Sequence, residues 1–599
     1  MDGSDPPFQA APLSAVEEAL SDMLRQPSDL GKRISNTIAF IDANRPINRL
    51  PFELLVTIFR LVHEDLDKHQ YTDSYVDCVG RSPPWYPMVA VCRHWRSVVC
   101  ATPMLWCLVQ IGPKTTAHCL DLVLSRSKDL PIAVNVYSLP NVVPFGEVLV
   151  RHRARITSFH VQGVTRAPSS FIHNFVQASM PNLRTLSMWF DPFLVDPTTE
   201  EDEDDLPIDE QEVFMFGISR HRHPELQELS LRGIGLQGTL PYGSRDRPPN
   251  LTHLELRDSN DPDCDLPEFV LFLGACRHLQ TLTLVRFRPY DEDFDTIIIP
   301  DALNPLPIVE LAPTLRSLFI EDIDAYIARL LTGLVVPATT DLSFTKLITP
   351  RDTGEVREAW ELLEHGFLTV LPERKSGLPL FSLVTGVHLA LSDSSACLIA
   401  DAGQHSMTIT IKVVPDGSFD VSPDVEGDIE QLAAANDSIT ELTIANVGDL
   451  RIWREPLKTT LLHLPQLRTL TALTVEPPLE SDSSLEVELL KSIVQTIEQP
   501  DTGEACLALE ELNVNCLHPR HYELLLENLA LLLRHRNSQG TPLRRVRIEL
   551  AGRGYNPSLS AEERAAREGR FLEALGPLVD VVECAHHTLV ECDLEQAFP

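Results

Sequence analysis

The chain has 599 residues, 43% of them hydrophobic, with 86 acidic against 50 basic side chains and a formal net charge of −36 at pH 7. Such a field repels nucleic-acid phosphates and anionic lipid, and no basic cluster offsets it. Neither nucleic acid nor a membrane is therefore an expected partner, and no apolar run reaches the length of a membrane span. The length prior calls for more than one domain. The first residues, Met1 to Glu18, are acidic and lack an apolar core, so they do not read as a secretory signal. The twelve cysteines form no C-x-x-C pair and read as reduced, buried thiols of a cytoplasmic or nuclear protein.

Residues 1–45 are an acidic start rich in Pro and Asp, followed by two short helices suggested by Leu13, Val16, Leu20, Leu24 and then Ile34, Ile38, Ile41, with Pro27 between them. Residues 46–107 are denser. Leu50-Pro51 opens a helix, because proline suits a first turn whose N–H has no intrahelical partner. Leu54, Leu55, Ile58, Phe59 and Val62 follow at three- and four-residue steps. After a polar insert from about Glu64 to Pro84, a second amphipathic segment carries Trp85, Val89, Val91, Cys92, Trp95, Val98 and Val99. Thr102-Pro103 ends it, and Leu105-Trp106 is a further apolar anchor. A short helical hairpin cannot bury this much apolar surface internally. It packs on the rest of the chain, or part of it is a docking face for another protein.

Three blocks in order, Leu50-Pro-Phe-Glu-Leu-Leu55 with Ile58-Phe59, Val91-Cys-Arg-His-Trp-Arg-Ser-Val98, and Thr102-Pro-Met-Leu-Trp106, resemble the F-box family in the form common in mushroom-type fungi. The resemblance covers about a tenth of the chain. It implies a small all-helical module that docks on the Skp-type linker of a cullin–RING ubiquitin ligase. The docking positions it implies are Leu50, Pro51, Leu54, Leu55, Ile58 and Phe59, with Val91, Cys92 and Trp95 as core or docking. The insert is longer than in compact F-boxes.

From residue 108 to about 575 a unit L-x-x-L-x-[apolar] recurs. Copies start at Ile156, Leu183, Leu226, Leu251, Leu279, Leu315, Ile439, Leu470, Leu509 and Leu543, with looser ones at Leu342 and Val384. The last three residues alternate as a strand must. Helical patterns lie between copies, at Phe171–Ala178, Phe269–Cys276, Tyr326–Leu334, Val487–Ile497 and Tyr522–Leu533. Strand, helix, strand, repeated, gives a parallel sheet with helices on its other, convex face, and no unit can bury its own face alone. The pattern resembles the leucine-rich-repeat family. It departs from it in irregular spacing, about 25 to over 40 residues, and in apolar residues (Ile234, Phe287, Ile323, Val447, Leu517) where Asn or Cys is expected. The fold class is thus α/β: an F-box-like module, then an irregular solenoid.

Two stretches interrupt the repeat. The acidic run from Glu200 to Glu212 reads as a solvated loop. Residues 349–435 read as an insertion, with a helix near Val356–Leu371 and a strand over Met407–Val414. A helix at Ala561–Leu578 leads into residues 576–599, assigned as the C-terminal cap that a solenoid needs.

No P-loop, dinucleotide-binding, zinc-protease or nucleophile-elbow motif is present, and no cofactor is expected. Asp263/Asp265 and Asp322/Asp324 read as solvated faces. Cys584, His586, His587 and Cys592 are suitable metal ligands at a spacing that matches no zinc pattern. Cys92, beside Arg93 and His94, reads as core, and His63, His221 and His223 as lone or surface histidines. The expectation is a non-catalytic adaptor that binds the linker, and through it a cullin, and holds a protein substrate on its repeats. The acidic balance favours a basic substrate. The alternative is an acidic repeat scaffold that sequesters a basic protein, with the leading helices as an N-terminal cap.

Overall fold

The computed structural model describes residues 36–38, 40, 41, 44–68, 85–112, 115–137, 143–164, 169–190, 215–236, 240, 250–290, 305–348, 366–391, 395–413, 425–436, 438–446, 461, 463–474, 508–516, 521–551 and 561–587. The chain divides into two compact units, Met1–Leu236 and Gln237–Pro599.

In the first unit a 3-10 turn, Pro46–Arg49, precedes α1 (Phe52–Lys68). Pro51 sits just outside this helix, its carbonyl accepting from the N–H groups of Leu54 and Leu55. The single segment expected over Trp85–Val99 is two helices, α2 (Tyr86–Val91) and α3 (Arg93–Ala101), broken at an extended Cys92 (φ −158, ψ 171). The Cys92 Sγ accepts the Trp95 N–H at 3.4 Å, which is the part an N-cap oxygen usually plays. A 3-10 turn, Pro103–Trp106, follows. Then come β1 (Leu108–Ile111), α4 (Ala117–Arg126), β2 (Ile132–Tyr137), α5 (Val143–His152), β3 (Ile156–Val164), α6 (Ser169–Gln177), β4 (Thr185–Phe190), β5 (Met215–Phe216), β6 (Glu228–Arg232) and β7 (Gly235–Leu236). Strands β1, β2, β3, β4 and β6 form one parallel sheet in that order, and β5 pairs with β7.

The second unit runs β8 (His253–Asp265), α7 (Leu266–Ala275), β9 (Thr281–Tyr290), β10 (Val309–Glu310), β11 (Ser317–Asp322), α8 (Asp324–Thr332), β12 (Leu334–Val335) and β13 (Asp341–Ile348). It continues with β14 (Gly386–Leu391), β15 (Ser395–Ala402), β16 (His405–Val413), α9 (Val425–Ala435), β17 (Glu441–Asn446) and β18 (Thr469–Thr474). Last come β19 (Glu511–Cys516), α10 (Tyr522–Ser538), β20 (Arg545–Ala551), α11 (Ala561–Leu575) and β21 (Val581–His587). The repeat leucines set the register. Leu254, Leu282, Leu318, Leu342 and Met407 lie side by side, as do Leu256, Leu284, Ile320, Phe344 and Ile409, and all are buried. Each such side chain contributes about 1.5–3 kcal/mol when fully buried.

In the sheet β16 lies beside β13, then β15, then β14, and β17 lies beside β14. The segment expected to interrupt the repeat thus supplies three strands to the sheet in reversed order, with β15 antiparallel to both neighbours. From the helix expected near Val356–Leu371, residues 356–365 lie outside the described residues, and Phe367–Val370 is a 3-10 turn. The acidic run 200–212, the 487–497 helix, Val447, Leu517 and Cys592 also lie outside them, as do the leading helices apart from a few helical residues between 36 and 41.

Several side chains tie successive turns together. Thr157, Thr314 and Thr340 donate their hydroxyls to the carbonyls of Ile132, Leu279 and Leu315, and Asn182 donates to Ala154. At the far ends of the strands, ion pairs link neighbours: Asp258 with Arg286, Asp322 with Arg288 and Asp324 with Lys346. Asp322 and Asp324 are therefore not a solvated face. Asp322 is fully buried, and its Oδ1 accepts from Arg288 Nε at 2.8 Å and from the Ile323 N–H at 2.7 Å. Burial, outweighing the arginine, holds its pKa above the usual carboxylate range, whereas Lys346 holds that of Asp324 below it despite partial burial. His223 is likewise no surface residue: it is buried, with Nε2 2.9 Å from the Val176 carbonyl, which it donates to, and its ring lies against Phe216.

Candidate functional site: an apolar face on the leading helices

The residues singled out in the leading helices divide into two sets. Leu55, Phe59 and Cys92 are buried within the helical module, and Trp95 is half-buried with its ring 4.7 Å from that of Phe59. Leu50 and Ile58 are half-buried, whereas Pro51, Leu54 and Val91 face outward. The two faces of α1 follow from its 3.6-residue period: Leu55 and Phe59 stack one turn apart on the inner side, and Leu54, Ile58 and Leu61 form a second line beside them.

That second line is not isolated. Leu54 is 51% and Leu61 56% exposed, and Phe52, Val62, Tyr86, Val91 and Met104 are exposed with them. Ten of the 18 large hydrophobic side chains exposed among the described residues lie between Ile38 and Met104. Scattered exposed leucines need no explanation, whereas a concentration on one small module makes this face the candidate site. Phe52, Leu61, Tyr86 and Met104 were not among the expected docking positions. For Phe52 and Leu61 the signal was that α1 carries more apolar positions than one buried stripe can use.

The inner side is firmly built. Trp106 is buried against Trp85 (ring centroids 4.4 Å apart), its Nε1 donates to the Val99 carbonyl at 2.8 Å, and the Arg126 guanidinium lies 4.6 Å above it and donates to Cys100. Asn48, missed in the sequence, closes the other end: its Oδ1 accepts from Trp95 Nε1 at 2.5 Å. The face outside is thus presented by a fixed scaffold.

An open cleft of about 470 Å³ at the starts of β11 and β13 is lined by Arg316, Asp341 and His405 among others. The His405 Nδ1–Asp341 Oδ1 pair in it, 3.2 Å apart, is largely exposed, so it is not a desolvated acid–base pair. Cys584 on β21 has its thiol pushed up to about 12 by burial and by Glu568, which disfavours the thiolate a metal needs. No group of three or more His, Cys, Asp or Glu placed to hold a metal occurs among the described residues. No described helix is long and apolar enough to cross a membrane.

Neither a family model nor a curated protein matches this chain. Among solved structures it is similar to the leucine-rich repeat-containing protein LegL7 from Legionella pneumophila, with 15% sequence identity over 57% of this chain and 76% of that chain and a TM-score of 0.22. The chain has a long parallel sheet built from leucine-patterned strands and belongs to the mixed α/β class. The functional reading rests on the residues themselves.

Proposed function

We propose that this protein is a non-catalytic substrate adaptor of a cullin–RING ubiquitin ligase: the leading helices dock on a Skp-type linker and the repeat strands hold a protein substrate. The observation that carries this reading is the outward position of Leu54 on a helix whose Leu55 and Phe59 are already buried. An N-terminal cap on a solenoid would bury the Leu50, Leu54 and Ile58 line, whereas an adaptor needs it open. The three ordered sequence blocks that resemble the F-box give the partner its identity. Tethering a substrate near the ubiquitin-loaded enzyme raises its effective concentration, and this is the only catalysis the adaptor performs.

The test is calorimetric binding of the full chain to a purified Skp-type linker. Binding that disappears in Leu54→Glu, with the circular dichroism spectrum unchanged, is the expected result. A folded wild-type chain that does not bind the linker sinks the reading, and the acidic scaffold that sequesters a basic protein then becomes the better one.

A further inference from the structure

Arg316 immediately precedes β11, and Asp341 opens β13. The Arg316 carbonyl accepts the Asp341 N–H at 2.8 Å, so the two residues are neighbours across the sheet. Their side chains line the open cleft of about 470 Å³, a volume within the range of small-ligand sites. Yet they do not pair with each other. Asp341 is engaged elsewhere: its Oδ1 accepts the Ser406 N–H at 3.2 Å and lies 3.2 Å from His405 Nδ1. Among the described residues no acid, hydrogen-bond acceptor or ring lies against the Arg316 guanidinium.

The uncommitted charge in the cleft is therefore the arginine. A guanidinium presents two parallel N–H donors that match a planar carboxylate. Gln280 and Thr339 line the same cleft, and their amide and hydroxyl can complete the set of hydrogen bonds. Asp341 sets the limit on charge. Its carboxylate, beside the bound group, repels a second negative charge, so a singly charged anion is favoured over a dianionic phosphate.

We propose that this cleft binds a monocarboxylate, with Arg316 as its anchor and Asp341 as the group that disfavours dianions. The carboxylate belongs to a small organic acid or to an acidic side chain of a bound protein, and Arg316 reads the same chemistry in both. The inference stands apart from the adaptor reading, because the linker plays no part in it.

The experiment is calorimetry on the full chain at low ionic strength and about pH 8, with propionate, N-acetylglutamate α-amide and methyl phosphate, which is a dianion there. At least one of the two carboxylates is expected to bind saturably, with a dissociation constant of about 1 mM or tighter. Propionate binding shows that the carboxylate alone suffices. Binding of the glutamate derivative alone assigns the site to an acidic side chain. Arg316→Met is expected to weaken binding about tenfold or more. Arg468 holds the same place before β18, is also exposed and is not part of this cleft, so Arg468→Met should leave binding unchanged. Methyl phosphate is expected to bind more weakly than the carboxylates and to gain severalfold in Asp341→Asn. No saturable binding of either carboxylate, equal loss in the two arginine variants, or wild-type affinity in Arg316→Met overturns the proposal. Methyl phosphate bound as tightly as the carboxylates overturns the role given to Asp341.

Discussion

The carboxylate of Asp428 caps the backbone of Phe367, 61 residues earlier in the chain: its Oδ2 accepts from the Phe367 N–H at 2.6 Å and its Oδ1 from the Leu368 N–H at 2.8 Å. Phe367 lies in the connection from β13 to β14, and Asp428 on α9 in the connection from β16 to β17. In the spatial order β13-β16-β15-β14-β17, one connection runs from the first position to the fourth and the other from the second to the fifth. The contact ties these two connections to each other.

Asp428→Ala should therefore destabilise the second unit by about 3 kcal/mol, because two charge-assisted hydrogen bonds vanish and two buried N–H groups lose their acceptor. Gly366→Ala should also destabilise, since its new methyl would overlap the Asp428 carboxylate. In the double variant the second effect should largely disappear. Urea unfolding of the four proteins measures this coupling, and strict additivity would refute the contact between Asp428 and this turn.

Neighbouring leucines on α1 should behave oppositely. Leu55→Ala empties a fully buried site and should cost about 2–5 kcal/mol in thermal or urea unfolding. Leu54→Ala should change stability by less than about 0.5 kcal/mol, as surface changes usually do. A Leu54 variant as unstable as the Leu55 one would show that this line is buried in solution.

His223 predicts an acid-sensitive first unit. Burial lowers its pKa from 6.5 to about 4. Between those values the unfolded chain binds a proton that the folded chain does not, so stability rises with pH. It is complete above about pH 6.5 and falls as pH drops toward 4, by roughly 3 kcal/mol in all. Urea midpoints across this range should show that slope, and His223→Gln should flatten it. An unchanged slope would place the acid sensitivity elsewhere.

Breaking the Arg288–Asp322 pair by Arg288→Met should cost about 3–5 kcal/mol, since it strands a buried carboxylate. Adding Asp322→Asn to that variant should recover part of the loss. Thermal unfolding of the single and double variants distinguishes this from simple loss of arginine packing, which the second change would not repair.

Much of the sheet was legible because its signal is local. Leu-x-Leu alternation at Leu229-Ser-Leu231, Leu254-Glu-Leu256 or Leu318-Phe-Ile320 specifies a strand with one buried face wherever it falls. The helices at Leu266–Ala275 and Tyr522–Ser538 followed from the same kind of short-range pattern. The apolar surplus of α1 was also legible, and with it the location of the candidate docking face. Asn48 was not, because its role depends on Trp95, 47 residues away. Asp322 was not legible either, because its place inside depends on Arg288, 34 residues away.

By itself, then, the sequence determined that the leucine-patterned copies form strands, which side of each of those strands is apolar, and that the leading helices carry more hydrophobic surface than they can bury; it did not mark β1, β2 or β15. Only the tertiary structure decided that β14, β15 and β16 enter the sheet in reverse, that His223 and Asp322 are inside, and that Leu55 turns inward while Leu54 turns out. The first group depends on the alternation of side chains along a few consecutive residues. The second depends on contacts between segments tens of residues apart, where burial and pairing are settled by what arrives from elsewhere in the chain.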